Sequence, residues 1–124
     1  LVKKYWRLLR DKDGVPTTLF HGVGGSRILP LDEWIDAEVK TVHDGSRKTA
    51  TPYTSGFHIM ASFEDLKRFT GRFRKIENLF MVQVDIDGEI WDKEHSPANV
   101  FLAERMRIRK KQWERRIKVV KTSH

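Results

Sequence analysis

The spacing of apolar side chains along this chain changes several times, and each change marks an element. In KKYWRLLR, residues 3–10, Tyr5 and Leu9 fall on one side, and Trp6 and Leu8 share the other with charge. In the DKDGVP that follows, Asp13-Gly14 tolerates positive φ and Pro16 cannot continue a central ladder. A hairpin returning through TTLFH is therefore expected. HGVGGSR, residues 21–27, reads as a glycine-rich loop. EWIDAEVKTV is ambiguous, because Ile35, Ala37 and Val39 alternate as in a strand while Leu31, Trp34, Ile35 and Glu38 also suit a helix; the strand is preferred. HDGSRKTATPYTSG, residues 43–56, has no apolar pattern and reads as a long polar loop.

GFHIM is the next expected strand. Phe57 and Ile59 face one side, His58 and Met60 the other, and Gly56 permits a sharp entry. Ser62 is a suitable N-cap for a helix in FEDLKRFTGRF. Glu64 and Asp65 stand in its first turn, Phe63, Leu66 and Phe69 recur on one face, and Gly71 marks its end. LFMVQVDI has the clearest strand pattern, with Val82, Val84 and Ile86 opposed to Gln83 and Asp85. Asp87-Gly88 reads as a two-residue hairpin turn into EIW. In NVFLAERMRI, Val100, Leu102, Met106 and Ile108 share one face, interrupted by Glu104, and Arg105, Arg107 and Arg109 share the other. Beyond Lys110, Trp113, Ile117 and Val120 have helical spacing. The pattern thus predicts one α+β domain over residues 1–109, a mostly antiparallel twisted sheet of about six short strands with one or two packed helices. Residues 110–124 would be a basic tail, either an amphipathic helix or a segment ordered only by an anionic partner.

Composition narrows the class. At 124 residues, with 39% apolar and 33% charged side chains, the chain suits one modest core and not a disordered segment. The absence of cysteine excludes disulfides, thiolate metal sites and a cysteine nucleophile. No apolar run is long enough to span a bilayer and no basic-then-apolar leader opens the chain, so a soluble, cytoplasmic protein is expected. The net charge of +7 is unevenly distributed. Residues 105–121 hold nine Lys or Arg against one Glu, whereas the rest of the chain holds fifteen basic and sixteen acidic residues. All the excess positive charge lies in one segment, which suggests a polyanion-facing surface.

Candidate chemistry is sparse. His21, His43, His58, His95 and His124 share no metal-ligand spacing, so no metal site is expected. The two Asp-x-Asp-Gly stretches lack the rest of a calcium loop and read as turns. No nucleophile elbow is present, and HGVGGSR lacks the Gly-Lys-Ser/Thr ending of a P-loop, although its backbone and Arg27 could meet an anion. The reading therefore leans to binding over catalysis, with no catalytic residue assigned. In an extended strand Arg105, Arg107 and Arg109 form a row spaced by ~6.5–7 Å, near the phosphate spacing of a single strand. Lys110, Lys111, Arg115 and Arg116 extend the charge, and Trp113 could stack on a base. The opposing reading is a solvated face paired with acidic side chains of neighbouring strands.

LFHG at 19–22 and SGFHIMASFEDLKRF at 55–69 resemble the ADP-ribosyltransferase-like fold of the PARP type. The resemblance implies that His21 and Gly22 would hold NAD, with Tyr53 or His58 near the nicotinamide. His58 stands where that family has a tyrosine, and Asn99 stands near the place of its catalytic Glu, with Glu94 and Glu104 out of register. The Gly-Phe-His turn, helix and Val-rich strand also resemble small phage and bacterial proteins. Three functions follow. The first is a binding protein contacting a polyanion, nucleic acid foremost, without a cofactor. The second is an ADP-ribosyltransferase-like enzyme or degenerate NAD-binding relative. The third is a phage-type accessory or inhibitor docking on an acidic surface of a larger complex.

Overall fold

A computed structural model of the chain describes residues 2–19, 27–37, 41–43, 52–54, 56–73, 76–93 and 99–120. β1 (Lys3–Lys12) and β2 (Val15–Thr17) form the expected hairpin. Asp13 and Gly14 turn it with φ of 54° and 86°, the doubly positive geometry that matches strand twist. Leu19 lies in a bend, and residues 20 and 21, the end of the expected returning strand, lie outside the described residues. β3 (Trp34–Asp36) realises the first part of the strand preferred for EWIDAEVKTV, but Ala37 follows it outside any strand, Val39 lies outside the described residues, and β4 (Thr41–His43) belongs to a separate two-stranded sheet. β5 (Pro52–Thr54) corrects the reading of residues 43–56 as loop throughout, because it pairs antiparallel with β4. Three-residue ladders are too short to print an apolar period on the sequence.

β6 (Phe57–Ile59) leads into α1 (Phe63–Thr70), whose N-cap Ser62 accepts a hydrogen bond from the Asp65 amide at 3.1 Å. Gly71 ends the helix, with a right-handed φ of −60°. β7 (Leu79–Asp92) is the longest element. It runs straight through Asp87-Gly88, so that pair is not a hairpin turn. Gly88, at φ 85°, sits where the β7–β8 register shifts between Asp87 and Ile90, as in a β-bulge. β8 (Phe101–Arg107), α2 (Lys110–Glu114) and β9 (Ile117–Lys118) complete the chain.

Among the described residues, seven of these strands form an antiparallel sheet whose main path is β2-β1-β7-β8-β3, and β4 and β5 form a separate two-stranded sheet. β6 and β3 share one edge of β8, at residues 101–103 and 105–107, while β9 pairs with β7 at Phe80 and Met81. The sheet curls into a half-barrel. Trp6 of β1 and Met60, just after β6, exchange two backbone hydrogen bonds of 2.7 and 2.8 Å across the curl.

Alternation then divides the core in two. Leu9, Phe57, Ile59, Val82, Val84 and Ile86 fill the inner face. Leu8, Met60, Leu79 and Met81 lie on the outer face, where α1 packs Leu66, Phe63 and Phe69 over them. The expected single apolar face of β8 is corrected: Met106 and Ile108 are inner-face residues, but so are Phe101 and Ala103, and Val100 belongs to the outer cluster. The side chains change parity opposite the bulge, at exposed Glu104. Residues 111–120 are part of this packing and not one helix. Trp113 enters the inner core and Val119 the outer one, while Ile117 and Val120 are exposed. No helix among the described residues is long and apolar enough to cross a membrane.

Candidate polyanion-binding surface

Asp85 organises the outer face. Its neighbours Val84 and Ile86 point into the half-barrel, so pleating aims Asp85 the other way. Its register partners are Lys4 on β1 and Arg107 on β8, so each adjoining strand places a cation beside it. Its side chain is 0% exposed. Lys4 Nζ donates to Oδ1, and Arg107 donates to Oδ2 through Nε at 3.1 Å and Nη2 at 2.8 Å. Arg109 Nε lies 3.1 Å from the same Oδ2. Gln112 Nε2 donates to Oδ1 at 2.8 Å, and Gln112 Oε1 accepts the Arg109 amide at 2.8 Å, which ties α2 to the cluster.

Burial by itself would push the Asp85 carboxyl up. Hydrogen bonds from Lys4, Arg107 and Gln112, and the Lys4 charge, outweigh burial and hold it below the ordinary carboxylate range. One negative charge thus fixes three cations. Their side chains stay partly open, Lys4 at 43%, Arg107 at 28% and Arg109 at 45%.

The expected row of arginines does share this face, but β8 lies inside the sheet and each arginine has a carboxylate nearby. Arg105 lies 3.6 Å from Asp36 and 3.7 Å from Asp87. It and Arg107 also stand over the Trp34 ring, at 5.2 and 4.5 Å. Arg116 pairs with Asp11 at 3.1 Å and covers the Phe80 and Trp113 rings. Lys110, Lys111 and Arg115 are exposed and make no ion pair among the described residues. Trp113 is not a surface platform for a base. It is 4% exposed, and its Nε1 donates to Gly14 O at 3.0 Å, locking α2 to the β1–β2 turn.

Sequence reasoning missed Lys4, Asp85 and Gln112. The one available signal was an aspartate inside the most apolar strand, which alternation alone assigns to solvent. Of the residues tied to an NAD pocket, His21 and Gly22 lie outside the described residues. Tyr53 is in β5, opposite Val42 in the two-stranded sheet, and His58 is in β6 of the larger sheet. The ladders therefore do not pair Tyr53 with His58. The His58 ring keeps solvent contact amid crowding protein atoms. That desolvation, then the charges of Arg7 and Lys93, push its pKa down to about 4, so the imidazole is neutral at neutral pH. Among the described residues no group of three or more His, Asp or Glu side chains converges on a metal-sized site. Comparison with protein-family models, curated proteins and solved structures finds no match in any of the three.

Proposed function

We propose that this chain is a polyanion-binding protein, with nucleic acid the first candidate, and that the outer face of β8 and α2 is its contact surface. The observation supporting this reading is the Asp85 cluster, in which three cations are held on one buried carboxylate and keep partly exposed side chains. A guanidinium carries five N–H donors, and Arg109 approaches Asp85 through its Nε. The remaining donors are already oriented, so less side-chain entropy is lost when phosphate oxygens approach. Lys110, Lys111 and Arg115 add unpaired charge beside them.

The test is fluorescence anisotropy with single-stranded and duplex DNA and RNA across a salt series. Truncation after Arg109 is unsuitable, because it removes Trp113 and Val119 from the two cores and Gln112 from Asp85. The K110Q/K111Q double variant changes only exposed side chains. Binding should weaken steeply with salt, and on single strands the double variant should lower the log–log slope by up to about 1.4 if both lysines meet phosphates. Absence of binding at low salt would overturn the nucleic-acid reading and leave an acidic protein surface as the partner to seek.

A further inference from the structure

The inner face holds a second cationic site built on different terms. Arg7 lies on β1 between Tyr5 and Leu9, with its register partner Val82 in the inner core. It is only 8% exposed, yet no carboxylate among the described residues pairs with it. Its Nη1 donates to the His58 carbonyl at 3.0 Å, and its buried Nε has no partner. The other buried charge, Asp85, has four partners. An uncompensated buried cation is costly, and here a second cation increases the cost. Arg27 shares the Phe57 ring with Arg7, their guanidinium carbons lying 5.8 and 5.3 Å from its centroid. Burial, then the Arg27 charge, push the Arg7 pKa down to about 10. Arg27 itself is exposed, and among the described residues its guanidinium gives one hydrogen bond, from Nη1 to Asp36 O at 3.3 Å. The pair therefore has one buried member and one open to solvent.

We propose that Arg7 and Arg27, which both stand against the Phe57 ring, bind a phosphoryl group, either free phosphate or the end of a small phosphate ester. Guanidinium forks match the tetrahedral oxyanion, whose several acceptor oxygens can reach two donors at once. The bound charge supplies the compensation that neither arginine finds in a carboxylate among the described residues. Phe57, itself 5% exposed, offers each guanidinium a cation–π attraction that offsets only part of the repulsion. This site lies on the opposite face of the sheet from the Asp85 cluster and stands or falls independently of it.

His58 is the reporter. Its pKa is depressed partly by Arg7 and Lys93, so an anion placed on Arg7 should raise it. The imidazole Cε1–H resonance is followed by NMR from pH 7 downward, in inorganic phosphate and in chloride of equal ionic strength. Bound phosphate should lift the midpoint from about 4 by roughly one unit, and the Tm should rise by several degrees relative to chloride. Adenosine 5′-monophosphate and adenosine separate the sources. Tighter binding of the monophosphate than of phosphate identifies an ester end, equal binding identifies free phosphate, and tight binding of adenosine itself overturns the proposal. The R27Q variant, altered at an exposed position, should lose at least tenfold in phosphate affinity while its amide spectrum stays folded. R7K, which keeps the charge and a donor toward the His58 carbonyl, should bind more weakly for want of the fork. If R7K does not fold, R27Q decides alone. A His58 midpoint and Tm indifferent to phosphate, or an R27Q variant that binds phosphate like the parent, overturns the proposal.

Discussion

Asp85 and His58 are two buried or crowded groups whose charges the fold controls in opposite senses. Asp85 is kept ionised because it balances Lys4, Arg107 and Arg109. The D85N variant keeps the side chain's size but strands three cations, and should lose about 3–5 kcal/mol in urea denaturation. The folded Asp85 pKa lies below the unfolded value, so its stabilisation is complete above about pH 3.9 and is lost as pH falls through the folded value. D85N should therefore have a flatter stability profile in that acid range. His58 acts in the window above. Its folded pKa of about 4 lies below the ordinary 6.5, so the unfolded chain binds the extra proton and stability falls as pH drops from 6.5 toward 4. The H58N variant should lose that slope while keeping the Asp85 one, a separation that denaturation at stepped pH would resolve. The outward direction of both side chains was legible from alternation. The environments were not: Asp85 depends on residues 81 positions earlier and 22 later, and His58 on a cation 51 positions away.

At the scale of elements, two glycines have different roles. The expected role of Gly56, a sharp turn, gives way to close packing: its φ is not in the left-handed region, and a Cβ there would lie 2.9 Å from Ala103 O and 3.0 Å from Trp91 Cζ2. Gly88 is the reverse, with only ordinary contact to Glu104 Oε2 at 3.5 Å but φ of 85°. G56A should cost about 1–3 kcal/mol through overpacking between β6 and β8, and G88A about 1–2 kcal/mol through backbone strain alone. A compensating Trp91→Phe change should recover part of the first loss and none of the second, as denaturant midpoints would show. The Asp13-Gly14 hairpin, the Ser62 cap and the Val82–Ile86 alternation were all readable, because each is a local interaction. Asp87-Gly88 was misread because the same dipeptide suits a turn or a bulge. Strand partners on both sides, β1 up to Ile86 and β8 beyond, carry β7 onward.

For the whole molecule, the decisive contact is the bridge from Trp6 to Met60, which joins β6 to β1 after β6 has already paired with β8. Both amides are expected in the slowest hydrogen-exchange class, together with the β1–β7 ladder and opening only with global unfolding. Exchange of Trp6 and Met60 well ahead of that ladder would show that the curl opens independently. The same scale governs charge. The basic C-terminal segment is a +8 block in the sequence, yet Asp11, Asp36, Asp85 and Asp87 come to its arginines in the fold. Lys110, Lys111 and Arg115 make no ion pair among the described residues and remain as unshared charge on α2 and just beyond it.

Local patterning sets which segments alternate, where α1 begins and how the first hairpin turns, and it confines the excess positive charge to one end. These properties rest on pleating, capping and φ preference, which act over a few residues. Only long-range pairing brings Trp113 into a core, adds residues 117 and 118 to the sheet, gathers Lys4, Arg107 and Arg109 on one aspartate, and buries Arg7 with no carboxylate partner among the described residues. Each of these depends on which distant strands lie side by side. That choice is made by burying two apolar faces of a curled sheet at once, and no local period records it.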